Sequence, residues 1–147
     1  MSTLKLKLDQ DWLVEEFFDS THLMGIITRV KDYQLCWHLN NTLRFNFRAN
    51  NELEIKLCQK KKTFYFSVFE FTEPTTAVSH YIYNNHSKAA FLLPELKNID
   101  FLWLIKGDYY QEKEVKALIE QIRSVENIQL VTLFNQEEIK NKKDLIF

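Results

Sequence analysis

The chain has 147 residues, of which only two are Gly and two are Pro; average usage would give about ten and seven. Gly25 and Gly107 stand far apart, so no glycine cluster can cradle a phosphate and no G-x-S-x-G elbow can form. The net charge of −1 lacks the basic excess of a duplex-binding protein.

The length suits one domain, residues 1–147, with enough chain to bury a core. Met1–Gln10 alternates Leu4, Leu6 and Leu8 with Lys5 and Lys7, without the continuous apolar stretch of a signal peptide. Thr3–Leu8 therefore predicts a half-buried strand. Asp9–Phe18 is ambiguous, with Trp12, Leu13, Phe17 and Phe18 placed so that a short helix can form. Asp19–Thr28, with Gly25 inside it, reads as a connection that carries some packed residues.

A helix is expected over about Lys31–Phe45. Leu35, Cys36, Leu39 and Leu43 share one arc at helical spacing, and Val30, Tyr33 and Trp37 form a second apolar strip beside it. A helix so apolar is expected to be covered on more than one side, by its own domain or by a partner. Asp32 at its start suits capping or the helix dipole.

Strands are expected next, in close succession, at Leu53–Leu57, Thr63–Phe71, Ala77–Tyr83 and Lys88–Leu93, as in an antiparallel meander. Lys60-Lys61-Lys62 falls in the first hairpin loop. Asn50-Asn51 and Asn84-Asn85 fall where turns are needed, and Asn substitutes for Gly in such places. In Thr63–Phe71 both alternating sets are mostly apolar: Phe64, Phe66 and Val68 on one side, Tyr65, Phe69 and Phe71 on the other. That pattern predicts a central strand covered on both faces.

Asp100–Lys106 is a further strand, again apolar on both sides. Asp108 is expected to cap a helix over about Tyr109–Val125, with Gln111 three residues on. Val115, Leu118, Ile119, Ile122 and Val125 form its apolar stripe, and Gln129–Phe134 is the return strand. This strand–helix–strand unit should place its two strands parallel in one sheet. The expected fold class is α+β: a mostly antiparallel sheet of five to seven strands with two main helices.

The chemistry-bearing residues are few. His22, His38, His80 and His86 lack metal-ligand spacing, so no metal site and no cofactor is expected. Cys36 and Cys58 have no C-x-x-C partner and suit reduced thiols in a cytoplasmic protein. Cys36, on an apolar helix arc beside Trp37, should be an inert thiol with a raised pKa. The longest apolar runs, Ala89–Leu93 and Phe101–Ile105, are five residues each, too short to span a membrane.

The segment Leu93–Phe101 carries the most interest. Pro94 interrupts an apolar stretch and pushes Leu93 towards extended geometry. Glu95 and Asp100 then flank a bend between two buried strands. There they either satisfy the bend or, if desolvated, gain the raised pKa that acid–base work requires. Leu93-Pro94-Glu95, three spacers, then Ile99-Asp100-Phe101 resembles the signature of the IPExxxVDY family of small bacterial proteins. Pro94, Glu95 and Asp100 agree with that signature. Leu93, Ile99 and Phe101 depart from it, and Phe101 removes a hydroxyl. Lys31–Trp37 and Lys143–Phe147 also look like family segments. The resemblance implies a bacterial cytoplasmic protein and supplies no activity.

Three functions compete. Excess apolar surface, with strands apolar on both faces and two helices to cover one, argues for a non-enzymatic interaction module acting as a homodimer. Tyr33, Trp37 and Phe147 are its candidate contacts, and Leu145-Ile146-Phe147 docks either on its own domain or on a partner. A small-ligand site or enzyme would use Glu95 and Asp100, with His80 or His86 as a third group and Tyr81, Tyr83 or Trp103 lining a pocket. RNA or single-strand binding would need aromatics stacked on one open sheet face near Lys60–Lys62, and the near-neutral charge counts against it.

Overall fold

The computed structural model describes residues 2–147, with side chains from Gln10 onward. In chain order the elements are α1 (Ser2–Phe18), β1 (Thr21–Thr28), α2 (Asp32–Leu43), β2 (Arg48–Ala49), β3 (Ile55–Gln59), β4 (Lys62–Phe66), β5 (Val68–Thr72), β6 (Ser79–Asn84), β7 (His86–Ser87), β8 (Ala90–Phe91), β9 (Phe101–Lys106), α3 (Glu112–Arg123) and β10 (Ile128–Phe134). The main sheet has six strands in the order β10-β1-β9-β6-β5-β2, and every neighbouring pair is antiparallel. Strands β9 and β10 both run antiparallel to β1, so they are parallel to each other with β1 inserted between them. Two small hairpins, β3–β4 and β7–β8, stand apart from the sheet. The whole is a single α+β domain.

Several expectations are corrected. Thr3–Leu8 is helix, not strand. Leu and Lys are strong helix formers and the segment has little β-branching, so its period-2 pattern does not decide its state. The stretch read as a connection, Asp19–Thr28, holds an inner strand of the sheet. Gly25 fits there because the Phe134 ring on the neighbouring strand lies 2.6 Å from where a Cβ would stand.

Thr63–Phe71 breaks at Ser67 into two strands of different sheets: β4 pairs with β3 in a two-stranded sheet, and β5 lies next to the edge of the main sheet. Its alternation still holds. Phe64, Phe66 and Val68 pack on one side and Phe69 and Phe71 on the other, with Tyr65 exposed. Lys88–Leu93 is only the second arm of a minimal hairpin whose turn is Lys88-Ala89.

Helix α2 starts where the Lys31 N–H donates to Gln34 Oε1 (2.9 Å) and ends at Arg44 in the left-handed region (φ 59°). Helix α3 starts later than the expected Asp108 cap. The Gln111 N–H donates to Glu114 Oε1 (2.9 Å), so the capping role falls three residues further on.

Two cores form, one on each face of the sheet. On one face α2 contributes Leu35, Cys36 and Leu39, and α3 contributes Val115, Leu118, Ile119 and Ile122. On the other lie Phe18 of α1, Ile55 and Phe66 of the β3–β4 hairpin, Leu92 and Leu93, and Ile139 and Leu145 of the C-terminal segment. Strand β9 alternates between them: Phe101, Trp103 and Ile105 enter the first core, Leu102 and Leu104 the second. The chain therefore covers both faces of its own sheet, and the apolar second face is no longer an argument for a partner. Helix α2, in contrast, is covered on one side only. Tyr33 and Trp37 are 59% and 62% exposed.

Candidate functional site

The bend after β8 is built around Asn85, which is fully buried. The Leu93 N–H donates to Asn85 Oδ1 (2.8 Å), and Asn85 Nδ2 donates to the carbonyls of Leu96 (2.9 Å) and Ile99 (2.8 Å). The Asn85 N–H donates to the Asp100 carbonyl (3.0 Å), and its own carbonyl accepts from the Leu92 N–H (2.8 Å). One side chain thus takes over polar groups that a chain reversal would otherwise bury unpaired. Asn85 is a buried anchor rather than the turn residue expected. Pro94 opens a single 3₁₀ turn, Pro94–Leu96, at a position where a missing N–H costs nothing. Leu93 before it is extended (φ −117°, ψ 96°).

Glu95 and Asp100 serve different partners. Glu95 accepts from the backbone N–H (2.9 Å) and side-chain Nδ2 (3.1 Å) of Asn141, tying the bend to the C-terminal segment. Partial burial pushes its carboxyl up, and the hydrogen bonds from Asn141 and the backbone outweigh that and hold it below the usual range. That is the reverse of the raised carboxyl that acid–base work requires. Asp100 Oδ2 accepts from the Thr28 N–H (3.0 Å), closing the end of β1, and Oδ1 lies 3.4 Å from His86 Nε2. Phe101 is buried in the α2–α3 core, where a phenyl ring has no hydroxyl to satisfy.

Asp100 and His86 face a cleft of about 580 Å³ that also takes in Arg29, Lys31, Asp32 and Phe101. Glu95 is outside it, and so are Tyr81, Tyr83 and Trp103. Buried Tyr83 donates its hydroxyl to the Leu145 carbonyl (2.8 Å).

His80 belongs to another cluster. Its Nδ1 accepts from Trp103 Nε1 (3.0 Å), so its Nε2 carries the proton and donates to Glu73 Oε2 (2.6 Å). The Tyr110 hydroxyl donates to the same oxygen (2.7 Å). Burial lowers the His80 pKa and Glu73 opposes it, with burial the larger effect, so the ring is neutral. Aromatic rings of Phe45, Phe47 and Phe71 enclose it. This satisfied network joins strands and loop to the start of α3, and only the placement of His80 within an apolar strand hinted at it. His80 and His86 do not meet.

Among the described residues no group of three or more His, Cys, Asp and Glu side chains could hold a metal, and no helix is long and apolar enough to cross a membrane. Cys36 is buried, and its thiol is pushed up to about 12 by burial and by Asp32. The C-terminal tail docks on its own chain: the Phe147 ring lies 4.7 Å from Tyr81 and 5.3 Å from Phe17 between centroids. Among the described residues, the exposed aromatics Trp12, Tyr33, Trp37, Tyr65, Tyr109 and Phe147 sit on helices, a hairpin, a loop and the C-terminal tail, not on an open sheet face.

The chain matches no family model, no curated protein and no solved structure.

Proposed function

We propose that the protein is a non-enzymatic interaction module that acts as a homodimer. The observation that carries this reading is the apolar surface left over once the chain has covered both faces of its sheet. Tyr33 and Trp37 lie one helical turn apart on the outer side of α2, and Leu130 and Leu133 are 47% exposed on β10. The candidate carboxylates support it too, since Glu95 and Asp100 are tied to backbone N–H groups of the chain itself, at Asn141 and Thr28. Membership of the IPExxxVDY family belongs to the same proposal and rests on Pro94, Glu95 and Asp100. So does a cytoplasmic location, which suits two free cysteines. Light scattering at tens of micromolar chain is the test. A mass of twice 17.7 kDa is expected, and a mass of 17.7 kDa across the range overturns the homodimer.

A second reading has one observation in its favour. The cleft beside Asp100 gathers Arg29, Lys31 and His86 around a carboxylate, a setting for a small polar ligand of mixed charge.

A further inference from the structure

We infer that β10 is a self-pairing edge: two copies of the chain join antiparallel along Leu130–Phe134, and two six-stranded sheets become one of twelve strands. The inference rests on the homodimer reading above and names its surface.

The two edges of the sheet end differently. Strand β2 is two residues long, Arg48 and Ala49, both exposed. A short edge that carries a charge discourages pairing, as natural sheets commonly arrange. Strand β10 has seven residues, with no charged residue and no proline among them. Among the described residues its sheet partner is β1 alone. Its outer side presents a row of backbone donors and acceptors over about 24 Å, at roughly 3.4 Å per residue. Bulges are another way to blunt an edge, but the register shift in this pair falls between Ile128 and Leu130, and from Leu130 to Phe134 the register with β1 is unbroken.

A second copy fits this edge better than an arbitrary strand. A two-fold axis perpendicular to the sheet makes the two β10 strands antiparallel and keeps each face on its own side. With Thr132 on the axis, Leu130 stands opposite Phe134 of the second copy and Val131 stands opposite Leu133 of the second copy. Apolar pairs directly opposite one another are the unit of sheet stabilisation. No like charges meet, because the strand has none. The pairing gives exposed Leu133 and Leu130 apolar neighbours and pairs the outer backbone groups from Leu130 to Phe134.

The test is a pair of variants beside the parent chain, all of it full length. Leu130→Lys with Leu133→Lys places charges on two positions already half in solvent. The parent is expected to scatter as a dimer and the double variant as a 17.7 kDa monomer with a cooperative melt. Cross-linking covers the case in which the double variant fails to fold. In a Cys58→Ser background, Thr132→Cys is expected to link two copies through a short bis-maleimide, and Trp37→Cys is not. A dimer that survives the lysines, or one linked through Trp37→Cys and not Thr132→Cys, overturns the β10 edge and leaves the homodimer standing. A parent that is monomeric overturns the homodimer itself.

Discussion

Asn85 directs its side-chain amide to three backbone groups of the turn that follows it, at Leu93, Leu96 and Ile99. The Leu93 N–H and the Ile99 carbonyl become unpaired if the amide is lost, at about 1–3 kcal/mol apiece, whereas the Leu96 carbonyl keeps the Ile99 N–H (2.9 Å). Asn85→Ala is therefore expected to destabilise the fold by about 2 kcal/mol or more, read as a lower urea midpoint with an unchanged slope. Glu95→Gln, on the exposed side of the same bend, keeps an acceptor for Asn141 and is expected to cost under about 1 kcal/mol. Equal losses from the two variants would mean that the bend is not held from the inside. The contrast also shows what was legible at this scale. Pro94 announces a bend by its own covalent geometry. Asn85 does not, because its partners are backbone groups, identical in every residue and placed by the path of the chain. Glu95 and Asp100 are legible as neighbours of the bend, but the diverging directions of their side chains are not.

Turns show how this chain manages with two glycines. Ser20, Arg44, Lys60, Lys61, Ala77, Lys88 and Asn127 all have positive φ. Lys60 (φ 50°) and Lys61 (φ 66°) form the two-residue turn of the β3–β4 hairpin, which needs the left-handed region at both positions. A residue with a Cβ is strained there by about 1–2 kcal/mol, and glycine's extra chain entropy costs about 0.5–1 kcal/mol. Ala77→Gly and Lys61→Gly, both at exposed sites, are accordingly expected to stabilise the protein by up to about 1 kcal/mol each, seen as a raised urea midpoint. A fall in either midpoint would show that the strain is relieved by contacts a glycine loses. The same economy hid elements from the sequence. Without glycines to punctuate it, Thr63–Phe71 reads as one strand, although the chain changes sheets at Ser67. Gly25 reads as a loop residue, although it lies inside β1 to admit the Phe134 ring. Elements with a full apolar period, such as β9 and α3, were legible to within a few residues.

At the scale of the whole molecule, one sheet serves two cores, and their coupling decides how the protein unfolds. Strand β9 supplies Trp103 and Ile105 to the first core and Leu102 and Leu104 to the second, so neither face can open without disturbing the strand both share. The second core is closed last along the chain, by the C-terminal segment. Leu145 is fully buried there, its carbonyl accepts from the Tyr83 hydroxyl, and Phe147 covers Tyr81. Leu145→Ala is expected to cost about 2–5 kcal/mol, the range for truncating a buried leucine. If β9 couples the cores, that loss appears in one transition: the tryptophan signal, dominated in the core by Trp103 on the opposite face, shifts to lower urea together with the far-ultraviolet circular dichroism. If the C-terminal face instead unfolds by itself, the circular dichroism moves first and the Trp103 signal keeps its midpoint. That outcome would make the tail a separable cover, and it would return the second sheet face to the surfaces available for a partner.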